Sequence, residues 1–385
     1  MASIPKNEYR ERLVKFQANL RRAGLDAALV HGNEADCANV RYLCDYWPTF
    51  ESAAVLVPAE GEPVLLIGPE SQEYARGRSL IPAIEKMIEY RESADPEYPG
   101  IAVTSYQDVV AKALPGKTLR KLGLVSYSIT PLPVYTSLKA QFPGVELVKA
   151  DDTLVSLRTI KTANEIACMK KAYDISEKAI DAILAEIKPG MTELQVTGIA
   201  QREIYRHGGE YEGHALYVFC GKNTCNAISR PTHNTIKANE IIQLNIGARV
   251  CGYSSSVGLP FSIGPLPEPK RRLLEFGLEA HLKTIELMRA GRPAGEVVRE
   301  YEAFVEGRGF KPYMLYGPCH AIGMMEVERP WMESTSTYEL AENMTFQVDT
   351  FFYDKDFGLR WENGVRVAQG GCEKFSQRYM KVVQL

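Results

Sequence analysis

The strongest constraint on how this chain can fold is an order of elements that occurs twice in its C-terminal half. Ile166, Met169, Tyr173, Ile180, Leu184 and Ile187 form one apolar stripe at helical spacing, and the helix stops at Lys188-Pro189-Gly190. Thr192 then caps a second helix that ends at His207-Gly208-Gly209. Further on, a helix from Arg271 to Arg289 breaks at Ala290-Gly291-Arg292-Pro293, and its successor ends at Gly307-Arg308-Gly309. Each pair is followed by β-like runs, Ile241–Arg249 and Gly252–Ile263 after the first, Met344–Tyr353 and Gly364–Ala368 after the second. A helical pair cannot bury its apolar stripe alone. Two such α-β-β halves can cover each other across a pseudo-twofold axis, leaving a pocket between their strands. The expected architecture is therefore α+β for residues 156–385.

Residues 1–155 read differently. Tyr9, Leu13, Phe16 and Leu20 mark an amphipathic helix. Strand-like runs follow at Ala27–Val30, Ala53–Val57 and Pro63–Ile67, the last two joined by the turn residues Glu60-Gly61-Glu62. Helical and extended runs then alternate at Val109–Ala113, Leu122–Ser126, Val134–Phe142 and Val145–Lys149, which implies an α/β domain. A net charge of −3 gives no reason to expect a nucleic-acid or anionic-membrane partner. No apolar run approaches the roughly 20 residues of a membrane helix. Met1-Ala2-Ser3-Ile4-Pro5-Lys6 lacks a signal-peptide core, so a cytoplasmic location is expected. The 8 cysteines contain no Cys-x-x-Cys pair, which fits reduced thiols; Cys220 and Cys225 lack a second ligand pair for zinc.

Four stretches carry a resemblance. They are Arg158-Thr159-Ile160-Lys161-Thr162 with Glu165-Ile166; Asn245-Ile246-Gly247 with Gly252-Tyr253 and Phe261-Ser262-Ile263-Gly264; His320-Ala321-Ile322-Gly323 with Glu328-Arg329-Pro330; and Met344-Thr345-Phe346 with Asp349 and Gly364-Val365-Arg366-Val367. In this order they resemble the pita-bread superfamily of creatinase, aminopeptidase P (prolidase) and methionine aminopeptidase. The resemblance implies an N-terminal creatinase-type domain and a C-terminal pita-bread domain. It also implies five ligand positions for two metal ions, which fall on Asn245, Ser256, His320, Asp349 and Ala368. Of the four acidic positions, Asp349 alone stays acidic on this alignment. Too few anionic oxygens would then remain for paired divalent ions, so neither metal nor other cofactor is expected, with a single weak ion on His320 and Asp349 left open. The family's catalytic histidine falls on Val327, and its substrate-side histidine falls near Ile228-Ser229. Some relatives, creatinase among them, work without metal, but the creatinase histidine and first-hairpin glutamate would fall on Ile228 and Gly258.

The expected catalytic residues are His320 as proton carrier and Asp349, a carboxylate inside the apolar run Phe346–Phe352. A packed histidine and a structural ion pair of Asp349 with Arg366 are the plain alternatives. Asn245 and Ser256 are expected to hold substrate. Glu328 is expected to face the pocket or cap a turn, and Glu326 to face solvent. Cys319 is read as an inert buried thiol. Glu51 falls where creatinase-like members reach into a partner's pocket, which implies a homodimer; an exposed loop glutamate is its alternative. His214, Tyr217, His233 and Arg329 are further candidates for lining the site. The function expected is a metal-independent, creatinase-like enzyme acting on a small polar nitrogen-containing metabolite by C–N hydrolysis. The alternatives are a silent pseudo-peptidase that binds a ligand or partner, a lyase or isomerase, and an Xaa-Pro metallopeptidase with an atypical site.

Overall fold

The computed structural model describes residues 2–385, which divide into two compact units, one formed by Ile4–Arg158 and the other by residues 2–3 with Thr159–Leu385. Among these residues no helix is long and apolar enough to cross a membrane.

The first unit is built on a six-stranded mixed sheet. Its centre is the strand Ala27–Gly32, antiparallel to Ala53–Pro58 on one side and parallel to Lys121–Val125 on the other. Both central strands are buried at every position, which is why they read as unbroken apolar runs. The helices Tyr106–Ala113 and Leu132–Gln141 cover one core, where Val109, Val110, Val134 and Leu138 pack against Leu29, Leu56 and Leu124.

In the second unit the helices follow the sequence signals. Thr162 and Thr192 cap Ala163–Glu186 and Glu193–Arg206, each in a reciprocal box with the residue three positions on, Glu165 and Gln195. The second pair of helices spans Glu268–Leu287 and Ala294–Gly307. Most strands of both halves join one nine-stranded sheet, while Tyr211–Glu212, Ala248–Val250 and Tyr253–Ser254 form a separate three-stranded one. Across it the order runs Glu328–Met332, Cys319–Ala321, Thr345–Tyr353 and Gly358–Ala368, then Val257–Ser262, Ile241–Ile246 and Tyr217–Cys220. The seam between the halves is the antiparallel contact of Gly258 with Glu362. On either side of it the halves mirror each other, Asn245 opposite Gly258 and Asp349 opposite Glu362.

Side-chain alternation divides the two faces of these strands. Phe346, Val348, Val365 and Val367 join a core with Leu287, Val297 and Val298. Each such burial contributes roughly 1.5–3 kcal/mol. Gln347 and Asp349 lie on the other face. The final strand begins at Gly358, six residues before the expected Gly364, and that difference decides the site.

Candidate functional site

Asn245, Gly258 and Glu362 stand in one row across three adjacent strands. Glycine in the middle lets its neighbours meet. A Cβ there would lie 2.5 Å from Cβ of Glu362 and 2.9 Å from Nδ2 of Asn245. In the gap, the Asn245 amide donates to Oε2 of Glu362, and the Ser256 hydroxyl donates to the same oxygen at 3.1 Å. Asn245 is itself fixed by Gln243, whose Nε2 donates to Oδ1 at 2.9 Å.

His320 comes from the short strand Cys319–Ala321, where it pairs across to Gln347 and Trp331. Its ring stacks on Trp331 with centroids 5.2 Å apart. Nδ1 lies 3.1 Å from the carbonyl oxygen of Ala321, the contact of an N–H donor, which turns Nε2 toward Glu326 at 3.6 Å. Glu326, Glu362 and His320 each bring one ligand-type atom into a cluster in which all lie within 4.8 Å of one another. Burial drives the Glu326 carboxyl up to about 7. A hydrogen bond with Glu362 and the Arg360 charge oppose the rise, and Asp349 adds to it. Burial likewise raises Glu362 well above the carboxylate range, with Glu326 and then Asp349 reinforcing it. Two carboxyls this close, both largely removed from solvent, do not both ionise near neutrality.

Asp349 belongs to a second network. Arg360 Nε lies 3.1 Å from its Oδ1, and the Tyr316 hydroxyl donates to its Oδ2 at 2.7 Å. Arg360 Nη2 donates to the Tyr316 oxygen at 2.6 Å and to the carbonyl of Ala227 at 2.8 Å. The guanidinium also lies over the rings of Phe351 and Tyr217, at 5.1 and 5.7 Å. Both networks open on one cavity of about 310 Å³. His214 and Tyr217 line it edge to face, 5.5 Å apart. Burial holds the His214 imidazole down at about 4, so it is neutral, with Nδ1 2.7 Å from the Ala215 carbonyl.

The structure thus gathers Ser256, His320, Asp349, His214 and Tyr217 around one cavity, with Asn245 directly beneath Glu362. It corrects several expectations. The acidic position assigned to Ala368 is filled by Glu362, while Ala368 sits at the strand end opposite Gly371. Glu326 faces the cavity, not solvent. The partner of Asp349 is Arg360, whereas Arg366 bonds Asn343 and Glu373. His320 faces Glu326 in place of Asp349. Glu328 turns away from the cavity, accepting from the Met325 N–H at 2.8 Å and lying 3.9 Å from Lys161 Nζ. Arg329 and His233 are exposed and outside the cavity lining. Glu51 is neither exposed nor open to a ligand. Its carboxylate is buried within the first unit and accepts from the N–H groups of Glu70 and Ser71 and the Ser71 hydroxyl. The Cys220 and Cys225 thiols donate to the carbonyls of Thr235 and Asp354.

Arg360, Glu362, Glu326 and Tyr316 are the residues the sequence reading missed. A signal existed for two of them. Gly-apolar-Arg-apolar occurs three times, as Gly247-Ala248-Arg249-Val250, Gly358-Leu359-Arg360-Trp361 and Gly364-Val365-Arg366-Val367, and a glutamate follows only the one at 358–361.

The donor set does not fit a pair of divalent ions. Asn245 and Ser256 are neutral, and both spend a proton on Oε2 of Glu362, an oxygen a metal would need as a lone-pair donor. Asp349 is already charge-compensated by Arg360.

Two family models match the chain: the Creatinase/Prolidase N-terminal domain over residues 12–160 and metallopeptidase family M24 over residues 167–369. A putative dipeptidase, YkvY, of Bacillus subtilis is 24% identical over 371 residues, covering 95% of this chain and 97% of that protein. An Xaa-Pro dipeptidase of Pyrococcus furiosus is 23% identical over 321 residues, covering 83% and 88%. The crystal structure of the prolidase from Pyrococcus horikoshii OT3 superposes with a TM-score of 0.81 at 23% identity, over 97% of this chain and 99% of that one. The shared fold is the creatinase-type N-domain followed by the pita-bread domain. Together with the duplicated halves and the cavity at their seam, these matches mean that the chain belongs to metallopeptidase family M24, whose reaction is hydrolysis of a C–N bond.

Proposed function

We propose that this protein hydrolyses a C–N bond in a small amide-like substrate by carboxyl and imidazole acid–base chemistry, without a binuclear metal centre. The observation that carries this reading is the cluster of His320, Glu326 and Glu362 at the end of one cavity, with Asn245 and Ser256 holding Glu362 in place. A pair of carboxyls sharing one proton supplies both halves of a hydrolysis. The ionised member takes a proton from water, and the resulting hydroxide bonds to the carbon of the C–N bond. The protonated member gives its proton to the departing nitrogen. The products are an acid and an amine, and the pair returns to one proton. His320 Nε2, 3.6 Å from Glu326, is placed to exchange a proton with it. Arg360 and the Tyr316 hydroxyl fix Asp349 beside the pair.

The same three side chains favour a second reading, a single divalent ion on His320, Glu326 and Glu362. Xaa-Pro dipeptides, the substrates named by relatives, and other small C–N compounds form the assay panel. Glu326→Gln and Glu362→Gln are each expected to lower turnover by about 100-fold or more. Chelator should leave turnover unchanged, and elemental analysis should find no stoichiometric metal. Full activity in Glu326→Gln would refute the acid–base reading. One equivalent of metal, with activity lost to chelator and restored by a divalent cation, would establish the single-ion reading in its place.

A further inference from the structure

The two ends of the cavity differ in chemistry. At its mouth Ile228 is 88% exposed, Leu315 and Val327 are 51% exposed and Trp331 is 39% exposed. They come from separate segments of the chain, the loop before Ile241, the loop before Cys319 and the strand around Trp331, yet line one opening. Large apolar side chains that converge on an opening leave surface in water. Covering it recovers about 25 cal/mol per Å².

At the other end, Glu326, Glu362 and Asp349 face a single permanent cation, Arg360, which Asp349 already holds. His214 is neutral there. Carboxyl groups therefore outnumber cations, and the unused capacity is acceptor capacity. The volume of about 310 Å³ suits a small molecule and not a polypeptide segment.

We propose that the cavity takes a small organic cation: an ammonium or other N–H-rich nitrogen at the Glu326–Glu362 end, carrying one bulky apolar group that fills the mouth formed by Ile228, Leu315, Val327 and Trp331. This rests on the reading of the cavity as the substrate site and names the class of substrate. Small anions are rejected, because their charge would meet desolvated carboxyls.

Titration calorimetry on the purified full chain tests the proposal with 3-phenylpropylamine, 3-phenylpropionate and propylamine. None has a bond to hydrolyse, so binding is scored apart from turnover. The aryl amine is expected to bind at least about tenfold more tightly than either the aryl acid or the short amine. Ile228→Ser with Val327→Ser, both exposed and tolerant of change, should weaken the aryl amine by about tenfold while leaving propylamine unaffected. Equal or tighter binding of the aryl acid overturns the proposal, as does an aryl-amine affinity indifferent to the double substitution. The expected binding pattern in a protein that turns over no amide would sink the hydrolase reading alone. Turnover of anionic amides, with the aryl amine bound no more tightly than the aryl acid, would sink this proposal alone.

Discussion

Replacing Arg360 with methionine removes the one guanidinium that compensates Asp349. Both side chains are close to fully buried, at 11% and 8% exposure. Removing one partner of a buried ion pair costs about 3–5 kcal/mol, because the other charge is left without compensation. Tyr316 would also lose the donor it has from Arg360 Nη2, worth about 1 kcal/mol more. The single variant should therefore lose about 4–6 kcal/mol. Adding Asp349→Asn takes away the orphaned charge while keeping an acceptor for the Tyr316 hydroxyl, so the double variant should recover about 3 kcal/mol of that loss. Urea unfolding followed by tryptophan fluorescence reads this out. Trp331 and Trp361 lie in the second unit, and a Trp47→Phe background silences the first. With a slope of about 2–3 kcal/mol per molar, the Arg360→Met midpoint should fall by about 2 M and the double variant by about 1 M. A shift under about 0.3 M for Arg360→Met would refute the argument that this pair is a closed buried unit. So would a double variant as unstable as the two singles added together.

Acid should destabilise each unit through a buried imidazole. His31 and His281 are each 1% exposed, and burial lowers them to about 4 and about 3. Their neutral forms are native, so the stability they contribute is full above pH 6.5 and falls as pH drops toward those values. At pH 4.5 each should have removed about 2.5 kcal/mol relative to pH 7, seen as a lower urea midpoint. His31→Gln or His281→Gln should flatten the acid limb of its own unit, and an unchanged limb would contradict the assignment. Glu51→Ala should destabilise the first unit by about 2 kcal/mol, because the N–H groups of Glu70 and Ser71 lose their acceptor. A thermal melt unchanged by that substitution, alongside weakened ligand binding, would restore the ligand-binding role the structure denies it.

Much of the fold was legible because its signals are local. The capping threonines Thr162 and Thr192, the breaks at Gly190 and Gly291 and the apolar stripes act within a few residues of themselves, and the helices begin and end beside them. The strand Thr345–Tyr353 was legible for the same reason, and it places Asp349 on the cavity. The partners of that aspartate were not legible. Arg360 and Arg366 lie six residues apart on one strand and so point to the same face, as do Glu362 and Ala368. Alternation cannot choose between them; register against Thr345–Tyr353 does, setting Glu362 opposite Asp349. Glu326 stands on an irregular segment between strands, where no periodicity predicts a direction.

By itself the sequence determined the chemistry that no fold can restore: Asn245 and Ser256 are neutral in any conformation, and neither can supply a carboxylate to a metal pair. It also determined the order of helices and strands, through caps, breaks and periodicity. The tertiary structure alone decided which charges meet. Contacts such as Asn245 with Glu362, Glu326 with His320 and Asp349 with Arg360 depend on the register of neighbouring strands and on where connecting segments cross the sheet. Those are fixed by packing between distant parts of the chain, and packing leaves no mark at the spacing of neighbouring residues.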